Sequence, residues 1–154
     1  MHYIYIHTMG NCSTKKESCV FCDIAITNKE RILFENETVI LFEDISPIAY
    51  VHLQCIPKRH IVNINELTIH ELGLLNEMKQ TAMEYITTHY DINGSNNSIN
   101  ENDIIFGFHV PPFYSVKHLH MHCIVPPFNN KCLKCFKVDC IMRSYDKVIH
   151  QLQY

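Results

Sequence analysis

A single α+β domain around a mainly antiparallel sheet is the fold class that this 154-residue chain predicts. Three observations predict it. Short runs rich in Ile, Leu, Val and Phe are separated by turn-prone Asn, Ser, Gly and Pro. The clearest helical period runs over residues 68–87. The resulting order, β-β-β-α-β-β, lacks the regular strand–helix alternation that a parallel sheet needs. A composition 47% apolar and 19% charged is rich enough for a packed core and argues against disorder.

Residues 1–18 read as a tail because no period is sustained there, and the domain is expected to run over 19–154. Arg31–Glu35 and Thr38–Phe42 are two apolar runs divided by the turn-prone Asn36, and His52–Ile56 is a third, closed by Pro57. Thr68 and Glu71 have capping-box spacing, and Leu72, Leu75, Met78, Ala82 and Ile86 then recur on one helical face. Asp91–Asp103 is polar and reads as an exposed loop. Ile104–Phe108 and Val116–Val125 read as strands joined through Pro111 and Pro112. Residues 129–154 are the least patterned and read as a short strand and a terminal helix.

The net charge of −3 provides no basic field for a phosphate backbone, so nucleic acid is not expected as the main partner. No apolar run is long enough to cross a bilayer. Met1–Gly10 has no cationic stretch followed by an apolar one, so a secretory signal is not expected. The eight cysteines then read as thiols, metal ligands or core residues in a cytoplasmic or nuclear setting, not as a disulfide framework. Met9-Gly-Asn-Cys-Ser-Thr14 fits an acylation pattern only if Gly10 becomes the N-terminus, and membrane attachment is expected only in that case.

The chemistry concentrates in His118-Leu-His-Met-His122. Residues two apart in a strand share a face, so three imidazoles are expected on one side and Leu119, Met121 and Cys123 on the other. Such a row suits a metal site, a relay aimed at phosphate, or a solvated surface face. Cys19-Val-Phe-Cys22 supplies half of a tetrahedral zinc shell and is equally compatible with a core or redox pair; His60 is a candidate further ligand. Cys132, Cys135, Cys140 and His150 read either as a second zinc site or as core thiols of an amphipathic segment.

Cys19-Val-Phe-Cys-Asp-Ile24, Phe42-Glu-Asp-Ile-Ser-Pro47, Pro57-Lys-Arg-His60 and Ser115-Val-Lys-His-Leu-His-Met-His122 together resemble the histidine-triad (HIT) family, in its order and spacing. Gly107-Phe-His-Val-Pro-Pro-Phe113 is similar to the third type of the family's nucleotide-binding proteins, on the branch shared with aprataxin. The resemblance implies a HIT-like fold: a five-stranded antiparallel sheet with one long helix and a short C-terminal helix, commonly paired into a homodimer. It implies a hydrolase that cleaves AMP or another nucleoside monophosphate from a phosphoramidate or adenylated substrate through a nucleotidyl-histidine. Removal of AMP from nucleic-acid ends and a non-catalytic nucleotide-binding adaptor are the alternatives.

On the same grounds His120 is the nucleophile, His122 and His118 support it, and Ser115 contacts the phosphate. Asp44 would accept from the ribose, and Ile24, Phe42 and Ile45 would wall the base of a purine nucleotide. Zinc-bearing members imply a structural zinc on Cys19, Cys22, His60 and His118, whereas in members without zinc the histidine at the place of His60 serves the active site. Better-known members carry Asn-x-Gly before the serine; here the stretch is Gly107-Phe-His109, so His109 is the candidate replacement for that phosphate contact.

Overall fold

The computed structural model of the chain describes residues 19–27, 29–90, 101–129 and 141–154. The expected tail, the acylation pattern at Gly10 and the cysteines Cys132, Cys135 and Cys140 lie outside the described residues. Six strands form one antiparallel sheet: β1 (Ile32–Glu35), β2 (Val39–Glu43), β3 (Ala49–Pro57), β4 (Ile105–His109), β5 (Met121–Phe128) and β6 (Met142–Ser144). Their spatial order is β1-β2-β3-β5-β4-β6. Among the described residues three α-helices accompany the sheet: α1 (Val20–Thr27), α2 (Leu72–His89) and α3 (Tyr145–Gln153). None of the described helices is long and apolar enough to cross a membrane.

The period-2 pattern divides the sheet into two differently employed faces. Val51, Leu53 and Cys55 of β3 join Met121, Cys123 and Val125 of β5 in the larger core, against Leu75, Met78, Ala82 and Ile86 of α2. The alternate residues of β3, namely His52, Gln54 and Ile56, face the other way. There Ile40, Phe42 and Ile56 pack under Phe21 and Ile24 of α1. Burying those last two side chains contributes about 1.5–3 kcal/mol each, enough to hold an eight-residue helix that would not persist alone.

The expected helix is present, but the Thr68–Glu71 capping box closes a 3₁₀ turn, Ile69–Glu71, and the α-helix follows from Leu72. The sheet has six strands where five are expected, because the short strand of the C-terminal stretch pairs with β4. Ser144 then caps α3, whose Tyr145 and Val148 reach the larger core while the Tyr145 hydroxyl donates to Asn76 at 2.6 Å.

Gly107 permits that sixth strand. It lies in β4 between His122 of β5 and Ser144 of β6. A Cβ there would stand 2.9 Å from the Arg143 carbonyl oxygen and 3.0 Å from Met142 Cε. The backbone contact has no flexible side chain to yield, so Gly107→Ala is expected to destabilise the fold by about 1–3 kcal/mol through overpacking. Chemical denaturation would read this as a lower midpoint, and an unchanged midpoint would show that β6 moves outward freely.

Candidate active site

β3 and β5 bring His52, Gln54 and His122 together on the α1 face, with Gln54 opposite His122 in register. His52 Nε2 and His122 Nδ1 are 2.8 Å apart. The Ile48 N–H donates to His52 Nδ1 at 3.4 Å, which leaves the proton of neutral His52 on Nε2. His52 therefore donates to His122, and neutral His122 carries its own proton on Nε2; the hydrogen-bond pattern assigns these tautomers. Asp44, just past β2, receives the Gln54 amide on Oδ2 at 2.6 Å and the Ser46 N–H on Oδ1 at 2.7 Å. The same Oδ2 lies 3.4 Å from His52 Nε2 and 3.7 Å from His122 Nδ1.

His120 precedes β5. The Leu119 N–H donates to the Ile61 carbonyl at 2.6 Å, so the chain joins the sheet only at Met121, not at the expected Val116. His118 and His120 therefore precede the strand, but Phe21 of α1 packs against both and His120 lies beside His122, so the imidazoles stay on the α1 side while Leu119, Met121 and Cys123 enter the larger core as alternation predicts. His120 Nδ1–H donates to the His118 carbonyl at 2.6 Å, and the neutral ring then keeps its lone pair on Nε2. Phe21 stands edge-on to His120, with centroids 5.4 Å apart, and holds the ring from the helix side. Burial pushes the His120 pKa down to about 4, so the imidazole is neutral near pH 7.

His120 and His122 line a cavity of about 510 Å³ together with His109 and Ser115. Its far wall holds Ile24, Phe42, Asp44 and Ile45. Ile24 and Phe42 are buried and belong to the core as well, whereas Ile45 stands 84% exposed at the mouth. The His109 ring lies 4.6 Å from that of His122, its Nδ1–H donating to the Ile141 carbonyl at 3.2 Å. With that proton committed, neutral His109 offers the cavity an acceptor; donation to a phosphate oxygen requires the protonated ring.

His118 and His60 stand apart from this cavity. His118 Nε2–H donates to the Pro57 carbonyl at 2.9 Å, which turns Nδ1 towards Cys19 Sγ at 3.4 Å and Cys22 Sγ at 3.5 Å. His60 Nδ1 is 3.3 Å from Cys22 Sγ. One ligand atom from each of the four residues lies within 4.8 Å of the others. Tetrahedral zinc, with Zn–S near 2.3 Å and Zn–N near 2.0 Å, needs sulfur–nitrogen edges of roughly 3.5 Å, and the donor set fits it. The Pro57 carbonyl is the kind of outer partner that fixes a ligating imidazole's tautomer.

Three contributors escape a reading of the sequence. His52 sits in a segment that reads as plain strand, yet His52 and Gln54, two polar residues two apart in an apolar run, signal a buried polar face that must find partners. Phe21, inside the Cys19–Cys22 spacing, packs against both His118 and His120. α1 itself is hidden because the cysteine spacing draws attention away from Phe21 and Ile24, which share its inner face.

The cluster carries a pH signature. Burial is the largest cause lowering the pKa values of His52, His109, His118, His120 and His122. Unfolding frees these rings to take protons near pH 6.5. Their neutral packing therefore contributes in full above that value, and the contribution is lost as pH falls towards the lowered folded values. For His120 alone the span from 6.5 to about 4 corresponds to about 3 kcal/mol. Denaturation midpoints are expected to fall steadily from pH 7 to pH 5, where ordinary carboxylates are still ionised; a flat profile would contradict it.

Comparison with known proteins places this arrangement. The family described as "Scavenger mRNA decapping enzyme C-term binding" matches residues 18–136. The mouse adenosine 5′-monophosphoramidase HINT3 is 35% identical over 112 residues, 71% of this chain and 64% of that protein. The match thus spans just under two-thirds of that relative's length. The Arabidopsis thaliana bifunctional adenosine 5′-phosphosulfate phosphorylase/adenylylsulfatase HINT4 is 36% identical over 115 residues, 73% of each chain. Among solved structures, a HIT family hydrolase from Legionella pneumophila superposes with a TM-score of 0.57 at 29% identity, covering 70% of this chain and 91% of its own. On the matching family and these relatives, the chain belongs to the histidine-triad superfamily.

Proposed function

We propose that this protein hydrolyses nucleoside phosphoramidates, or closely related adenylated substrates, with His120 as the nucleophile. The observation that carries the reading is the state of His120: neutral, with Nδ1–H tied to the His118 carbonyl and the Nε2 lone pair left for a substrate in a cavity large enough for a nucleotide. In the first step Nε2 attacks the α-phosphorus. A bond forms between phosphorus and Nε2 as the phosphorus–nitrogen bond to the leaving amine breaks, and that amine departs with a proton taken from solvent, which the second step returns. In the second step water attacks the same phosphorus, gives up a proton and releases the nucleoside monophosphate and His120.

The surrounding groups divide the rest of the work. His52 fixes the tautomer of His122, whose ring lies 5.0 Å from that of His120 and so holds the nucleophile's inner side. Ser115 at the rim supplies a donor to the phosphate oxygens, and His109 supplies one when protonated. Asp44, Ile24, Phe42 and Ile45 receive the ribose and base. Cys19, Cys22, His60 and His118 would hold zinc, which when bound supplies a structural cross-link between α1 and the segment that carries His120. The names of the mouse and Arabidopsis relatives share an adenosine 5′-phosphoryl group and differ in what it is joined to, which supports the common step and leaves the leaving group open.

The test is capture of the intermediate. Incubation with adenosine 5′-phosphoramidate followed by alkaline quench, in which a phosphoramidate on histidine survives, should add one adenylyl group to the peptide containing His120. Turnover without any adduct, or an adduct on another residue, would defeat the mechanism.

A further inference from the structure

A second groove, about 710 Å³ in volume, adjoins the catalytic cavity at Ser115. The two spaces share Val20, Ser115 and Val116. From there the groove runs along the outer side of α1 past Ile26, Val62 and Lys117 towards the cysteine–histidine cluster. Helical spacing explains its character. Phe21 and Ile24 turn into the core, whereas Val20, Asp23 and Ile26, three apart, line the outward face. Val20 is 51% exposed and Ile26 74% exposed, so neither residue is accounted for by core packing.

We propose that this groove is the leaving-group subsite and that it takes apolar amines. The inference rests on the phosphoramidase reading given above. A nucleotide with its base between Ile24 and Ile45 and its phosphorus at His120 and Ser115 fills the catalytic cavity. What is joined to the phosphorus must then leave past Ser115, where the groove begins. Val20, Ile26, Val62 and Val116 offer an aliphatic chain an apolar wall, while Asp23 and Lys117 bring opposite charges to it and favour neither sign. The shared residues make the wall continuous with the reaction centre, so the same substrate touches both.

The test compares two AMP amidates whose leaving nitrogens are chemically alike, an N-methyl and an N-hexyl amidate. The wild-type protein is expected to show a kcat/KM about tenfold higher for the hexyl amidate, since partial burial of a few methylenes is worth that factor. Ile26→Gln, a change at an exposed position by a residue of good helix propensity, should abolish the preference while leaving the methyl amidate unaffected. Ile26→Leu should restore it. Hydrolysis of both amidates at a ratio indifferent to Ile26 would overturn this inference and leave the phosphoramidase reading intact. Hydrolysis of neither would overturn that reading and the inference with it.

Discussion

His120→Ala is expected to lower phosphoramidate turnover by at least about a thousandfold while AMP still binds within a few-fold of wild type. The magnitude follows from chemistry: without Nε2 no nucleotidyl intermediate forms, and water must attack the phosphorus directly with help only from the remaining donors. Binding survives because the groups that line the base and ribose end, Phe42, Asp44 and Ile45, do not depend on the imidazole. The fold should survive too, since His120 is anchored by one hydrogen bond to a backbone carbonyl and by the edge of Phe21. His52→Asn makes the useful contrast. It leaves the nucleophile in place and, because the shorter amide does not reach the position of His52 Nε2, withdraws the donor that fixes the His122 tautomer, so a loss of about ten- to a hundredfold in kcat is expected, with KM little changed. Steady-state kinetics on the two variants, with circular dichroism to verify folding, would decide. A residual rate above a tenth of wild type in His120→Ala would remove the nucleophile from this residue.

What could be read in advance divides along physical lines. Apolar alternation reports which residues are buried, so the strands, the long helix and the core role of Leu119, Met121 and Cys123 were legible. Alternation carries no information on where a strand begins. The Leu119 N–H leaves the ladder for the Ile61 carbonyl, a partner 58 positions away, and with that bond His118 and His120 fall before the strand instead of within it. His118 then turns to the cysteines and His120 to the cavity. α1 was illegible for a related reason: eight residues with two inward side chains are too few to give a period, and the helix is held by Phe42 and Ile56, which arrive from elsewhere in the chain. Three of the four motif blocks, in contrast, assembled the cavity wall from Ile24, Phe42, Asp44 and Ser115 without any knowledge of α1. His52 lay between two of those blocks, and a histidine in an apolar strand reads as core until a partner such as His122 is seen beside it.

Removing zinc is expected to have the largest effect on stability. Dialysis against a strong chelator, or Cys22→Ser, should destabilise the protein by several kcal/mol and lower turnover in step, with elemental analysis finding one zinc per chain before treatment. The argument begins with what the site joins. Cys19 and Cys22 bracket the first turn of α1, His60 follows β3, and His118 lies two residues before His120. α1 is otherwise held to the sheet through a small apolar cluster centred on Phe21 and Ile24. Without a metal, a few thiol–imidazole contacts near 3.4 Å must keep the helix in place, and such contacts are weak. Once α1 moves, Phe21 leaves the face of His120, and water reaches the ring whose burial keeps it neutral. Loss of metal should therefore also raise the pKa of His120 towards the ordinary histidine range, visible by NMR in the assigned His120 resonances, which must be followed separately from the freed ligands His60 and His118. A chelated protein with unchanged melting temperature and unchanged histidine titration would leave the four side chains a thiol–imidazole cluster, and α1 would need no metal to hold the nucleophile in place.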